Sequence, residues 1–319
     1  MKKEKLIRIL LVTAGFAAFF TGCTSSNDAE LIAEENRYFD LYMNSHYPGL
    51  EPLESGLYYI EERAGTGMSP DSGDYILINY VAKTIPEGTV FDTYVESIAE
   101  ENGIHYSGVL YGPLKYAHGS EIAGLREGLS LMKEGGVSTF IFKSDLGFGA
   151  DGFGSVSAYT SLQYDMELVE VIRASNIEQH EDSIIAAILD TISVPYETIH
   201  DEDTGADMYY IEWIAGEDDY IDSLGFVSCY YTGRLPDGRV FDSNVGDSSP
   251  YEVNLGDQGI IAGWNLGLPH FRYGGTGTLI IPYQLAYGIY GMTDTNSGKT
   301  GIPPYQTLIF DITVDPATK

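Results

Sequence analysis

The sequence predicts an α+β protein built twice in tandem, and three observations carry that expectation. First, the chain repeats itself. Tyr58-Tyr59-Ile60-Glu61 returns as Tyr209-Tyr210-Ile211-Glu212 and Ala64-Gly65 as Ala215-Gly216, both at an offset of 151. Tyr80 matches Tyr231, Phe91-Asp92 matches Phe241-Asp242, and Ile122-Ala123-Gly124 matches Ile261-Ala262-Gly263, with the offset drifting to 150 and 139 as loops differ in length. Two long copies indicate tandem domains, because a solenoid needs shorter and more numerous units. Second, strand signals dominate inside each copy: Tyr75 to Tyr80, Phe226 to Tyr231, Thr278 to Ile281 and Leu308 to Val314 are rich in β-branched, aliphatic and aromatic residues. Third, Ala262-Gly263-Trp264-Asn265-Leu266-Gly267 reads as one short helix, and one short helix against an antiparallel sheet makes an α+β domain.

Taken in order, the chain opens with Lys2, Lys3, Lys5 and Arg8 and an apolar run from Ile9 to Phe20. That run is shorter than the ~20 residues needed to span a bilayer, so residues 1–22 read as a secretory signal. Phe20-Thr21-Gly22-Cys23 resembles the lipobox of bacterial lipoproteins, which implies an acylated Cys23 as the mature N-terminus. Residues 23–50 follow as a tether and helix. Apolar residues at Leu31-Ile32, Tyr38-Phe39 and Leu41-Tyr42 recur at helical spacing, and Pro48 limits the helix. The first copy occupies residues 51–174. Residues 175–206 form a linker helix, with Ile184-Ile185, Ile188-Leu189 and Ile192 on one stripe and Pro195 at its end. The second copy occupies 207–319. Both helices are expected to pack on, or space, the domains that follow them. Pro86-Glu87-Gly88 and Pro236-Asp237-Gly238 are turns between strands.

Charge and cysteine content exclude several classes. The chain carries a net charge of −30; removing residues 1–22 takes away four basic residues and one acidic, leaving 13 against 46, a net −33. Such a surface repels phosphate backbones, so no nucleic acid is expected as a partner. Cys23 and Cys229 are the two cysteines, and a lipidated Cys23 leaves no disulfide within the chain. Cys229 alternates with Val227 and Tyr231 on one strand face and reads as a small core residue. Six histidines are scattered without a ligand motif, so neither a metal nor a cofactor is expected. Asp201-x-Asp203-x-Gly205 and Asp294-x-Asn296-x-Gly298 lack the downstream Glu of a calcium loop and read as polar turns.

The second copy also sets out an ordered series: Tyr231-Thr232-Gly233, Phe241-Asp242, Ile260-Ile261-Ala262-Gly263-Trp264, Ala286-Tyr287-Gly288, Ile302-Pro303-Pro304 and Phe310. Aromatics, aliphatics and one carboxylate, with no nucleophile and no base poised near neutrality, suit a reaction in which no covalent bond breaks. Rotation about an Xaa-Pro peptide bond is such a reaction. Singly, each of these residues would read as core or turn.

Taken together over residues 207–315, the motifs resemble FKBP-type peptidyl-prolyl isomerases. The resemblance implies a twisted antiparallel sheet wrapped over a short helix, with a hydrophobic pocket between them. It implies Trp264 as the pocket floor, Tyr231, Phe241 and Phe310 as walls, and Tyr251, Ile260 and Ile302 at the rim. The Tyr287 hydroxyl and the Ile261 N–H would donate to substrate carbonyls, and Asp242 would fix Tyr231. Physically, amide resonance sets a barrier of ~18–20 kcal/mol. The twisted transition state loses the dipolar character that water stabilises, so a dry pocket favours it. An acceleration of ~10⁴ needs about 5.4 kcal/mol.

The first copy keeps Tyr80, Phe91-Asp92, Ile122 and an aromatic at Tyr164. Leu125 stands in the Trp slot, Phe148 in the Tyr slot and Ser157-Ala158 where Pro-Pro would be, while residues 94–112 look like an insertion in the flap region. Poor catalysis and a binding or spacing role are expected of it. The overall expectation is a lipid-anchored cell-envelope isomerase, on the outer membrane facing the periplasm, acting on proline-containing unfolded or exported polypeptides. The rival readings are a non-catalytic adaptor that docks a partner peptide in the same pocket, and a lipoprotein subunit of a larger envelope machine.

Overall fold

Two antiparallel sheets follow one another along the chain, each covered on both faces by helix. The computed structural model describes residues 26–217, 219–257 and 259–316; the expected signal segment and the lipidation candidate Cys23 lie outside the described residues. Among the described residues no helix is long and apolar enough to cross a membrane.

The first unit runs α1 (Ser26–His46), β1 (Tyr58–Arg63), β2 (Tyr75–Ile85), β3 (Val90–Thr93), α2 (Glu96–Glu101), β4 (Leu114–Ala117), α3 (Ala123–Leu131), β5 (Gly136–Phe142) and β6 (Ser161–Ile172). The second runs α4 (Ile177–Leu189), β7 (Tyr196–His200), β8 (Asp207–Ile214), β9 (Phe226–Arg234), β10 (Val240–Ser243), β11 (Tyr251–Asn254), α5 (Ala262–Gly267), β12 (Thr276–Ile281), β13 (Met292–Thr293), β14 (Thr300–Ile302) and β15 (Leu308–Val314). Sheet order is β1-β5-β6-β2-β3, with β4 also on β2, and β10-β9-β15-β12-β8-β7, with β11 on β9. The two paths are one topology, and β7 is the addition. Strand β9 shows why these runs form half-buried strands: Val227, Cys229, Tyr231 and Gly233 are buried while their neighbours are not.

Glycines let each short helix lie on its sheet. A Cβ on Gly128 would stand 2.6 Å from the Phe140 ring, and one on Gly267 would stand 2.6 Å from Leu279. On the opposite faces, Phe39 and Met43 of α1 pack against Ile85 and Ile141. Ile185 of α4 packs in the same way against Ile211 and Ile280. Successive residues of a strand face opposite ways, so Phe140 and Phe142 meet α3 while Ile141 meets α1. Glu35 secures α1 by accepting from the Ser144 N–H at 2.7 Å and from the Ser144 and Ser161 hydroxyls at 2.8 Å. Both leading helices are therefore packed layers of their domains.

One boundary differs from the sequence expectation, and the expected insertion has packing of its own. The linker helix ends at Leu189, and residues 196–200, expected in the linker, pair with β8 as an edge strand. Residues 94–112 form more than a flap, because α2 and a small core of Tyr94, Ala99, Val109 and Tyr111 give them their own packing. Neither feature has a counterpart in the other copy to betray it.

Candidate functional site

A cavity of about 410 Å³ opens in the second unit between β9, β10, β15 and α5. Tyr231, Phe241, Asp242, Tyr251, Ile260, Ile261, Trp264, Tyr287 and Phe310 line it, together with Gly259, Ala262 and Ala286. Of the site residues expected from sequence, Ile302 is the exception. It is 1% exposed within the second core and does not line the cavity. Its short strand β14 directs the branched side chain into apolar surroundings, where burial stabilises it.

Strand register explains the gathering. Asp242 lies opposite Gly233, and Gly233 opposite Phe310. A Cβ on Gly233 would fall 2.6 Å from the Phe241 ring and 2.9 Å from that of Phe310, so glycine is what lets both rings fold over the strand. Their centroids are 5.5 Å apart at 84°. Trp264, on α5, meets Tyr231 at 5.1 Å and Phe310 at 5.2 Å, both nearly perpendicular. Tyr251, 43% exposed, closes the set at 6.1 Å from the indole. Edge-to-face contact is the favoured arrangement of aromatic quadrupoles, and it packs Trp264, Phe310 and Tyr231 so closely that each is buried while still lining the cavity.

The polar side chains lining the cavity are Tyr231, Asp242, Tyr251, Trp264 and Tyr287. The Tyr231 hydroxyl donates to Asp242 Oδ2 at 2.5 Å. Burial first, and then the Asp242 carboxylate, push the Tyr231 phenol far above its ordinary range, so it stays protonated as a donor. Burial and Asp242 also raise the pKa of Tyr287. The Tyr287 hydroxyl and the Ile261 N–H, at the N-cap of α5, have no hydrogen-bond partner among the described residues. Trp264 Nε1 is buried and likewise unpaired. Leaving a buried donor unpaired costs about 1–3 kcal/mol, which core packing alone would not favour.

Sequence reasoning missed Asn244. Its Oδ1 accepts from the Tyr231 N–H at 2.7 Å and its Nδ2 donates to the Cys229 carbonyl at 3.1 Å, tying the residue that follows β10 to β9. An Asn two residues after the Phe-Asp pair was the available signal. Cys229 is fully buried, and burial pushes its thiol up to about 12, so it is an inert core group. The two acidic turns close on themselves: Asp201 Oδ2 accepts from Thr204, and Asp294 Oδ1 accepts from Ser297. Glu96, Glu100 and His105 form an exposed group whose ligand atoms lie within 4.8 Å of one another.

A second, smaller cavity of about 320 Å³ occupies the equivalent place in the first unit, lined by Tyr80, Asp92, Leu125, Phe148 and Tyr164 among others. Tyr80 donates to Asp92 at 2.6 Å, as Tyr231 does to Asp242. Leu125 lines it where the indole would be, and Phe148 brings no hydroxyl. Thr300, from the second unit, also lines it.

Comparison with known proteins addresses both units. A family model described as FKBP-type peptidyl-prolyl cis-trans isomerase matches residues 67–169 and 220–315. A probable FKBP-type peptidyl-prolyl cis-trans isomerase of Haemophilus influenzae is 44% identical over 107 residues, covering 34% of this chain and 41% of that protein. FK506-binding protein 1 of Saccharomyces cerevisiae is 40% identical over 86 residues, 27% of this chain and 70% of its own length. FkpA of Escherichia coli is 40% identical over 92 residues, 28% of this chain and 31% of its own. The match thus spans under half of either bacterial relative. With both repeats matched and more than half of the sequence covered, the chain belongs to the FKBP-type peptidyl-prolyl cis-trans isomerase family.

Proposed function

We propose that the second domain is the working peptidyl-prolyl isomerase of this chain, and that its aromatic cavity twists an Xaa-Pro bond without covalent chemistry. The observation that carries this is the meeting of an aromatic lining with two unspent donors, Tyr287 Oη and Ile261 N–H, around one cavity. The proline ring would rest on Trp264 between Phe241 and Phe310. The donors would hold substrate carbonyls, leaving the imide bond between them free to rotate. Exclusion of water destabilises the planar, resonance-polarised amide relative to the twisted one. Tyr231, held by Asp242, keeps one wall in place. No proton changes hands.

The proposed substrates are proline-containing unfolded or exported polypeptides, with Cys23 as a lipid anchor holding the domains at the outer membrane, facing the periplasm. The N-terminal motif supports the anchor, and the acidic surface favours neutral or cationic segments. A proline-peptide isomerisation assay on the full chain tests the catalytic reading. Activity that disappears in Trp264→Ala is the expected result, and a wild type with no activity would sink it. Radiolabelled palmitate incorporated by the wild type but not by Cys23→Ala is the expected result for the anchor.

A further inference from the structure

Among the contacts that join the two domains, three grips fall on segments that lead into a wall of the second cavity. Lys299, in the turn between β13 and β14, reaches across to the Asp92 carboxylate and donates to the Thr93 carbonyl at 3.1 Å. Its ammonium lies 5.2 Å from the Tyr94 ring centroid, and the Tyr94 hydroxyl accepts from the Thr300 N–H at 3.0 Å. Asp294, in the same turn, sits so close to Gly108 that a Cβ there would collide with it. This hairpin belongs to neither large sheet, and the loop bearing it runs from Tyr287 to Ile302. Its tip is therefore held by the other domain.

The second grip is Arg239, which donates to the Tyr111 and Pro113 carbonyls at 3.2 Å two residues before Phe241. Beside it, Leu110 packs against the second core. In the third, buried Lys115 of β4 donates to the Tyr305 carbonyl at 2.9 Å and to Glu181 at 2.8 Å. Glu181 in turn accepts from the Thr307 N–H and hydroxyl, three residues before Phe310. The insertion at 94–112 thus supplies Tyr94, Gly108, Leu110 and Tyr111 to this contact. In the first cavity the Asp92 carboxylate, which parallels Asp242, is already occupied by Lys299.

We propose that the first domain is a brace for the second cavity, with Lys299 and Arg239 as positioning residues that set the loop after Tyr287 and the strand carrying Phe241. This rests on the isomerase reading only for its effect on turnover. A loop of this length held at its base alone would sample many conformations, and a substrate would have to select the competent one. Pinning its tip removes that loss of apparent affinity.

The test uses the full chain with Lys299→Ala, and with Tyr94→Phe as a milder change that leaves every charge in place. Each is expected to speed amide hydrogen exchange across residues 289–302 about threefold or more, and to raise KM for a proline peptide by a similar factor with kcat little changed. Lys299→Arg is expected to restore both. Unchanged exchange in both variants overturns the brace whatever the activity. Faster exchange with unchanged KM overturns the positioning role. A wild type that lacks activity yet shows the exchange effect would remove the isomerase reading and leave the brace standing.

Discussion

One row of residues across each sheet shows how the two domains part company. In the second it runs Asp242, Gly233, Phe310, Leu279, Tyr210. In the first the equivalent row is Asp92, Ala82, Tyr164, Phe140, Tyr59. The carboxylate end is kept and the middle is re-filled. Ala82 puts a methyl where Gly233 leaves room, and Phe142, two residues beyond Phe140, stacks on Tyr164 at 5.9 Å. In the second domain the ring equivalent to Tyr164 is Phe310, and Trp264 contacts it at 5.2 Å. Volume has moved from helix to strand: Trp264 with Ile281 in one copy, Leu125 with Phe142 in the other. Both cores are filled with large side chains, but the indole that lines the second cavity has no counterpart in the first.

The largest expected effect lies where the two domains meet. Glu181→Ala leaves the buried Lys115 with the Tyr305 carbonyl but without its counter-ion, and is expected to cost about 3–5 kcal/mol in a denaturant titration of the full chain. A loss under ~1 kcal/mol would mean the domains contribute separately, and the comparison would reduce to two independent pockets. Next comes conversion of the second pocket toward the first. Trp264→Leu is expected to lower isomerisation about 100-fold, near 2.7 kcal/mol of transition-state stabilisation. The reverse change is expected not to create activity. Leu125→Trp should overpack against Phe142 and cost about 1–3 kcal/mol of stability, and Phe142→Ile in the same chain should recover most of it. If Leu125→Trp alone is neutral, the volume exchange described above is wrong.

A smaller effect isolates one hydrogen bond. Tyr287→Phe removes a hydroxyl with no partner among the described residues, so stability should hold while kcat/KM drops about fivefold, near 1 kcal/mol. Equal loss of stability would show that the hydroxyl serves packing. The smallest effect is the pH dependence of the junction. Burial disfavours the Glu181 carboxylate, but His180, Lys115 and Thr307 outweigh it and hold its pKa below the ordinary 4.5. Glu181, and then Glu170, hold His180 above its ordinary 6.5 against the opposing effect of burial. The carboxylate's contribution is present above its unfolded pKa and lost as pH falls through the lower folded value. That of the imidazolium is present below about 6.5 and lost as pH rises through its raised value. The junction should therefore be firmest between the two limbs. Glu181→Gln should soften the acid limb of the melting-temperature profile, to which Asp74, Glu121 and Asp165, also held low, contribute as well.

Much of the site was legible because its residues announce themselves locally. Tyr231, Phe241, Trp264, Tyr287 and Phe310 stand in short motifs in a fixed order, and strand periodicity alone put Cys229 and Tyr231 on the buried face. Ile302 was misplaced because an aliphatic residue beside prolines suits rim and core equally, and the direction of β14 decides between them. Segment 196–200 reads as linker in the sequence because an exposed edge strand with the pattern Tyr196-Glu197-Thr198-Ile199-His200 buries little beyond Ile199. Lys299, Arg239 and Glu181 carried no signal at all. A charged residue in a turn or on a helix reads as solvated until its partner, on the far side of the chain, is known.

By itself the amino-acid order determined the repeat and the α+β class, since these depend on recurrence and periodicity along the chain, and the resemblance of its ordered motifs to a known family implied the aromatic set of the second pocket. Only the tertiary structure decided that the copies clasp each other, that Lys299 occupies Asp92, and that the 94–112 insertion serves the contact. Those pairings join residues up to 207 positions apart, and nothing in local sequence fixes a partner at that distance.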